Sequence, residues 1–170
     1  MTRQLIIVLI TVILIFSLYQ GQTVMKSQLN RGVRNNNPLN IRISGNAWTG
    51  KVTPSKDKAF ETFSDSKYGF RAATKLIRNY QNLYGLNTLS GIIHRWAPES
   101  DNNDTENYIQ FVADKVGVHP SDALNLYDDQ FMTRLVHAMS IMEVGRYYSV
   151  SDAAEGVALS AVLDNASNSE

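Results

Sequence analysis

The chain has 170 residues, sixteen Lys and Arg against sixteen Asp and Glu, and no cysteine. The lack of cysteine excludes disulfides, thiolate catalysis and Cys-based zinc sites, and the length beyond an apolar N-terminal segment suits one compact domain. The zero net charge hides an asymmetry: residues 31–97 hold eleven basic and three acidic side chains, and residues 98–170 hold three and thirteen. This division predicts either an anion-attracting face or two halves that complement each other within the fold.

An apolar run over residues 5–19 is interrupted only by Thr11 and Ser17. At ~1.5 Å per residue it covers part of a ~30 Å hydrocarbon layer, so it fits a signal-peptide core or a membrane anchor. The segment after it offers only Gly21, two residues beyond the bulky Tyr19, as a cleavage site, which favours an uncleaved anchor. We therefore predict a single-pass anchor over residues 1–20 and a tether over residues 21–30. Basic residues flank both sides of the run, so its orientation stays open.

Next comes an Asn-rich turn. Asn35, Asn36 and Asn37 precede Pro38, which blocks a helix, so this segment is predicted to be a loop that exposes side-chain amides. These amides, with Asn40 and the following Trp48, are candidate ligands for a sugar polymer. The alternative is a turn with a buried Trp anchor. Turn residues then separate short aromatic and β-branched pieces over residues 45–63, which predicts a small β-hairpin.

Helical periodicity follows the hairpin. Apolar spacing, capping residues and stop glycines predict five helices, over residues 68–83, 89–96, 103–116, 129–144 and 151–163. Asp65 is interpreted as a helix cap, and Asn103 with Glu106 as a capping box. The globular domain is predicted to span residues 31–163, and the small polar tail over residues 164–170 is predicted to be disordered.

Glu143 is the leading candidate for catalysis, because it lies near the apolar stripe of the fourth helix. Burial would raise its pKa, as a general acid requires; the alternative is a Glu that reaches water or pairs with a neighbouring Arg. Glu61 is the candidate second carboxylate, although an exposed strand Glu is usually only a solvated charge. Tyr147 and Tyr148 are candidates for stacking on sugar rings. No pattern for a metal or cofactor site is recognised, and the three His are scattered.

Two resemblances follow from the order of these pieces. The Asn-rich turn, the Trp48-Thr49-Gly50 hairpin and Phe60-Glu61-Thr62-Phe63 resemble lysozyme-like and glucosaminidase peptidoglycan hydrolases, although Glu143 follows the hairpin, so the likeness requires a circular permutation. The segment from Arg31 to about Ser160 also looks like a family of small phage and prophage virion proteins, typified by a structural protein of membrane-containing corticoviruses. The matching segments are Arg34-Asn35-Asn36-Asn37-Pro38, Tyr68-Gly69-Phe70-Arg71-Ala72, Arg78-Asn79-Tyr80-Gln81, Gly85-Leu86-Asn87-Thr88, Arg95-Trp96-Ala97-Pro98 and Asn103-Asp104-Thr105.

Taken together, these features predict a mainly α domain with a small β-hairpin, an α+β lysozyme-like fold behind one transmembrane helix. The predicted function is that of a phage virion protein, anchored in the virion internal membrane or the bacterial inner membrane, that cleaves peptidoglycan glycan strands during entry or release. Its predicted partners are peptidoglycan, the lipid membrane and other virion membrane or capsid proteins. One alternative is a non-catalytic structural protein of the virion membrane. A weaker one is a membrane-tethered nucleic-acid binder that uses the basic half.

Overall fold

The protein is an assembly of helices around one buried helix. A computed structural model describes residue 8, residues 10–17 and residues 29–167. The helices over residues 29–167 are α1 (Arg31–Arg34), α2 (Ser66–Tyr84), α3 (Leu89–Trp96), a 3-10 turn (Glu99–Asp101), α4 (Thr105–Val116), α5 (Asp129–Val144) and α6 (Val150–Ser167). Helix α6 extends through Ser167, so residues 164–167 of the tail predicted to be disordered are helical, while residues 168–170 lie outside the described part.

Local capping explains where the helices begin and end. Side-chain oxygens at the N-caps of α2, α3, α4 and α5 accept backbone N–H bonds from the first turn; the capping residues are Asp65, Thr88, Asp104 and Asp128. Gly85 and Gly117 close α2 and α4 in the left-handed conformation. The predicted cap at Asp65 is confirmed. The cap of α4 is Asp104 rather than the predicted Asn103, because the Asn103 amide donates instead to the Pro98 carbonyl.

Helix α5 lies at the centre of the fold and packs against α1, α2, α4 and α6. Its predicted apolar stripe is confirmed: Met132, Leu135 and Met139 have no exposed surface. Small and polar side chains elsewhere on the helix are buried as well, including Ala138 and Ser140, so α5 is enclosed on most of its sides. Burial of each large apolar side chain contributes about 1.5–3 kcal/mol, so the buried side chains of α5 contribute substantially to the stability of the fold.

The predicted β-hairpin over residues 45–63 is wrong, and with it the α+β lysozyme-like fold class. No strand occurs in residues 29–167. Around the predicted hairpin the backbone forms only two isolated antiparallel bridges, which pair Arg42 with Phe60 and Lys51 with Phe63. The physical reason is that side chains form hydrogen bonds with backbone N–H and C=O groups that neighbouring strands of a hairpin would otherwise pair with each other. The buried Asn37 amide alone donates to the carbonyls of Ile41 and Glu61 and accepts from the Ile41 N–H.

The predicted membrane anchor is also corrected. Of the helices within residues 8, 10–17 and 29–167, none is both long and apolar enough to span a bilayer. The described helical stretch over residues 10–17 covers about 12 Å, against a hydrocarbon layer of ~30 Å. This finding contradicts the predicted single-pass anchor, on which the predicted location in the virion internal membrane or the bacterial inner membrane depends. Residues 1–7, 9 and 18–28, which hold the rest of the predicted anchor and most of the tether, lie outside the described residues.

Ion pairs connect the basic half of the sequence with the acidic half. Lys67 lies 2.9 Å from Glu155, and Arg78 lies 2.7 Å from Asp129. Each pair joins α2 to an element from the second half of the chain. The structure therefore favours the interpretation in which the two halves complement each other over the one in which the basic residues form a separate anion-binding face.

We predict that Arg78→Met lowers the free energy of unfolding by about 2–4 kcal/mol. The Arg78 guanidinium is buried and donates to the Leu126 carbonyl, the Ser160 hydroxyl and the Asp129 carboxylate, so its removal leaves buried acceptors without a donor. Asp129 is half exposed, and Asp129→Asn should cost no more than about 1 kcal/mol. Urea denaturation of the two variants measures the difference. Equal losses would show that the ion pair, and not the buried donor set, carries the stability.

Candidate functional site

The site begins at the Asn-rich loop that follows α1. Asn36 and Asn40 have positive φ angles of 50° and 48°, which Asn tolerates better than most residues, and they turn the chain twice within five residues. Gly32 permits a close approach to α5, since a Cβ at this position would lie 2.5 Å from Val144 Cγ1 and 2.6 Å from Asn40 Oδ1. The loop is therefore held against the C-terminal end of α5, where Glu143 lies.

The three consecutive asparagines support the loop from within. Asn35 donates to Asp57, Asn36 donates to the carbonyls of Phe63 and Ser64, and Asn37 is fully buried. The residues predicted to offer amides to a ligand thus use them to connect the loop to residues 57–64. Asn40 differs from them, because its Nδ2 donates to Glu143 Oε2 at 3.0 Å.

Glu143 lies one residue before the end of α5, and three side chains from three different elements donate to its carboxylate. Trp96 Nε1, at the end of α3, and the Tyr108 hydroxyl, from α4, each lie 3.1 Å from Oε1. Asn40, from the loop after α1, donates to Oε2. The carboxylate therefore connects the N-terminal loop to α3, α4 and α5 at a single point.

Burial raises the pKa of Glu143, and the hydrogen bonds from Asn40, Trp96 and Tyr108 oppose this increase without cancelling it. Burial likewise raises the pKa of Tyr108 well above its usual value, so this residue remains a neutral hydroxyl. The hydroxyl lies 3.4 Å from the Met139 carbonyl as well as 3.1 Å from Glu143. It can donate to the ionised carboxylate, or turn towards the carbonyl and accept a proton from the carboxylic acid. Glu143 is thus provided with hydrogen-bond partners in both protonation states.

Glu143 is one of the residues that line an open groove of about 350 Å³. The other lining residues come from residues 39–48 with Phe60, which we call the groove wall, and from α2, α3 and the segment after α3. The lining combines aromatic rings with amide and hydroxyl groups: Trp48, Phe60, Tyr80 and Trp96 with Asn40, Ser44, Asn46 and Asn103. Flat apolar rings beside neutral polar groups match the alternating faces and hydroxyls of a sugar chain.

The predicted second carboxylate, Glu61, does not line this groove. It is fully buried, and its Oε1 accepts from Lys51 Nζ at 2.9 Å and from the Ser44 N–H at 3.0 Å. Lys51 also donates to the carbonyls of Ser44 and Asn46, both of which line the groove. Glu61 and Lys51 therefore lie behind the groove wall and hold it in place.

The predicted site residues thus divide into two groups. Glu143, Asn40 and Trp48 share the groove, whereas Tyr147 is exposed elsewhere and Tyr148 is buried edge-on against Phe70 with ring centroids 5.5 Å apart. Within residues 29–167, the structure arranges no three His, Asp or Glu side chains to hold a metal ion.

Sequence reasoning missed the two aromatic donors to Glu143. Trp96 and Tyr108 occur at apolar positions of their helices, which is typical of core residues, and Tyr108 is indeed buried. Their polar atoms could have indicated a role at a site, because a buried indole N–H or phenol O–H normally requires a hydrogen-bond partner. Periodicity does not reveal that this partner is a carboxylate 47 residues from Trp96 and 35 from Tyr108.

Comparison with known proteins provides the family. No protein-family model matches the chain. Protein P5 of Pseudoalteromonas phage PM2 is 43% identical over 131 residues, which cover 74% of this chain and 79% of that protein. This similarity confirms the resemblance to phage virion proteins and adds no support to the resemblance to lysozyme-like hydrolases. The chain belongs to the phage virion protein family that is represented by protein P5 of phage PM2.

Proposed function

We propose that this phage virion protein binds peptidoglycan glycan strands in the groove and cleaves them, with Glu143 as the general acid. The observation that carries the proposal is the position of Glu143: a carboxyl with a raised pKa lines a groove together with aromatic rings and amides. A carboxyl that stays protonated closer to neutral pH can deliver a proton to a glycosidic oxygen.

The arrangement favours an intramolecular reaction over two-carboxylate hydrolysis. Glu61, the predicted second carboxylate, is fully buried in an ion pair with Lys51 and does not line the groove, so it is not available to attack the sugar or to activate a water. Glu143 would protonate the bridging oxygen as the bond from the anomeric carbon to that oxygen breaks. The sugar's own 6-hydroxyl would then attack the anomeric carbon and return its proton to Glu143. The products are an anhydro-sugar end and a free hydroxyl end, as in lytic transglycosylases.

A non-catalytic structural role is the second candidate, and one specific observation favours it. The three donors to Glu143 come from three separate elements, so the carboxylate also acts as a cross-link. In this case the groove would bind glycan or another virion component without cleaving it. Both candidates agree with membership of a virion family.

We predict that Glu143→Gln abolishes clearing of purified Gram-negative peptidoglycan by the full chain, with a loss of about 10²–10⁴-fold in rate. The variant should fold, because Asn40 Oδ1 is buried without a partner among the described residues, and rotation of the Asn40 amide would present this oxygen to the new Gln amide. Mass spectrometry of the products should show anhydro-sugar ends from the wild type.

The matched control for this variant is Glu106→Gln, which neutralises an exposed carboxylate on α4 and should clear as fast as the wild type. Equal clearing by the wild type and Glu143→Gln would remove Glu143 from the mechanism. If neither protein clears peptidoglycan and both still bind it, the structural candidate is correct.

The raised pKa of Glu143 also predicts how stability changes with pH. A carboxyl whose pKa is higher in the folded state holds more protons there than in the unfolded state, so its contribution to stability falls as pH rises. The melting temperature of the wild type should therefore fall relative to that of Glu143→Gln as pH rises above 4.5, the ordinary value of the group, until the raised pKa is passed. Paired calorimetric scans measure this difference. A difference that does not change with pH would contradict the raised pKa.

We further propose that Glu61 positions the groove wall and takes no part in the chemistry. Glu61→Gln should raise KM for solubilised glycan strands several-fold and leave kcat within about a factor of three, because a neutral amide holds Ser44 less firmly than a carboxylate does. Lys51→Met should be more damaging and cost about 3–5 kcal/mol of stability, because it leaves a buried carboxylate unpaired. A loss of kcat in Glu61→Gln as large as that in Glu143→Gln would instead make Glu61 catalytic.

A further inference from the structure

An ion pair joins two residues that line the groove. Arg42 follows the Asn-rich loop, and Asp101 ends the 3-10 turn after α3. Their nearest atoms, Arg42 Nη2 and Asp101 Oδ2, are 3.7 Å apart. Arg42 is the only basic side chain in the lining of this groove, among the residues that the structure describes.

Arg42 is held at this position independently of Asp101. Its guanidinium lies 5.6 Å from the centroid of the Phe60 ring, and its backbone pairs with that of Phe60. The Phe60 ring is itself held in place, since Arg31 lies 4.6 Å from its centroid and forms a bidentate pair with Asp57. Loss of the carboxylate at Asp101 would therefore leave the Arg42 guanidinium in the groove.

The pair itself is weak. A separation of 3.7 Å is longer than a charge-assisted hydrogen bond, and the two side chains are 68% and 49% exposed. Exposed pairs of this kind contribute little to stability, so Arg42 can exchange Asp101 for another carboxylate at small cost. By contrast, Lys51 is bound closely to the buried Glu61 and is not available for a ligand.

We propose that Arg42 is an anion subsite for a carboxylate carried on the sugar chain, and that Asp101 occupies this subsite when the groove is empty. This inference rests on the proposed glycan-binding function and specifies its substrate class: strands of N-acetylglucosamine and N-acetylmuramic acid from which the stem peptides have been removed, in preference to neutral chitin-type strands. Removal of the stem peptide leaves the lactyl carboxyl of muramic acid as a free carboxylate, which would replace Asp101 beside Arg42. The aromatic and amide lining would contact the rest of the strand, which favours a carboxylated glycan over a free anion.

The test measures binding of two soluble glycans of equal length to the full chain, by calorimetry. One glycan alternates N-acetylglucosamine with N-acetylmuramic acid, and the other is a chito-oligosaccharide without carboxylates. The Glu143→Gln variant serves as the background, so that no strand is cleaved during the measurement. We expect the acidic glycan to bind about fivefold more tightly than the neutral one at low salt, and this preference should shrink as salt screens the exposed pair.

Two variants should move this preference in opposite directions. Arg42→Gln should reduce binding of the acidic glycan to the level of the neutral one, whereas Asp101→Asn should increase it about threefold to fivefold by removing the competing carboxylate. Neither should change binding of the neutral glycan. Lys58→Gln is the matched control, because it removes an exposed positive charge from the same segment outside the groove and should change neither affinity.

The outcomes separate this inference from the function on which it rests. Equal affinities for the two glycans, or weaker binding of the acidic glycan by Asp101→Asn, would overturn the Arg42 subsite and leave glycan binding intact. Failure of both glycans to bind the folded background protein would overturn the proposed function, and the subsite with it. Thermal melts of each variant establish that the protein is folded. If Arg42→Gln does not fold, the affinity of Asp101→Asn for the acidic glycan alone tests the Arg42 subsite.

Discussion

The carboxylate of Glu143 and its three donors form the interaction on which the arrangement of the site depends. Removing a carboxylate from water is costly unless hydrogen bonds replace its hydration, and here an indole, a phenol and an amide replace it. Each donor belongs to a different element, so satisfying one charge also sets the distance between the Asn-rich loop, α3 and α4. The same desolvation that makes the group expensive to bury raises its pKa and suits it for proton transfer.

A second buried charge supports the wall of the groove. Lys51 and Glu61 form an ion pair within a segment that lacks regular strands, and their hydrogen bonds determine the path of the backbone from Ser44 to Asn46. Buried polar networks of this kind favour one backbone path when each member has a partner. The hydrogen bonds that the Glu61 carboxylate accepts from Lys51 Nζ and from the Ser44 N–H both go to its Oε1.

Membership of the protein P5 family gives the residues that carried the resemblance a structural explanation. Several of them do not touch a ligand site: Asn37 replaces strand hydrogen bonds, Arg78 connects α2 to α6, and Thr105 bonds the Ala97 carbonyl at 2.7 Å. Others lie at the groove, such as Trp96 and Asn103. These segments of the sequence therefore contain residues that stabilise the fold as well as residues that line the groove, and the role of each residue follows from what its side chain contacts.

The sequence by itself predicted the five longer helices, and it indicated an inward direction as one of two interpretations of Glu143. Capping residues, stop glycines and apolar spacing are local signals, so Asp65, Gly85 and the stripe on α5 could be interpreted from the chain alone. Only the tertiary structure decided that Asn40, Trp96 and Tyr108 meet at Glu143, that Glu61 pairs with Lys51 behind the wall, and that residues 45–63 form no hairpin. These outcomes depend on contacts between residues far apart in sequence and on which buried polar groups find partners, and neither leaves a periodic pattern in the chain.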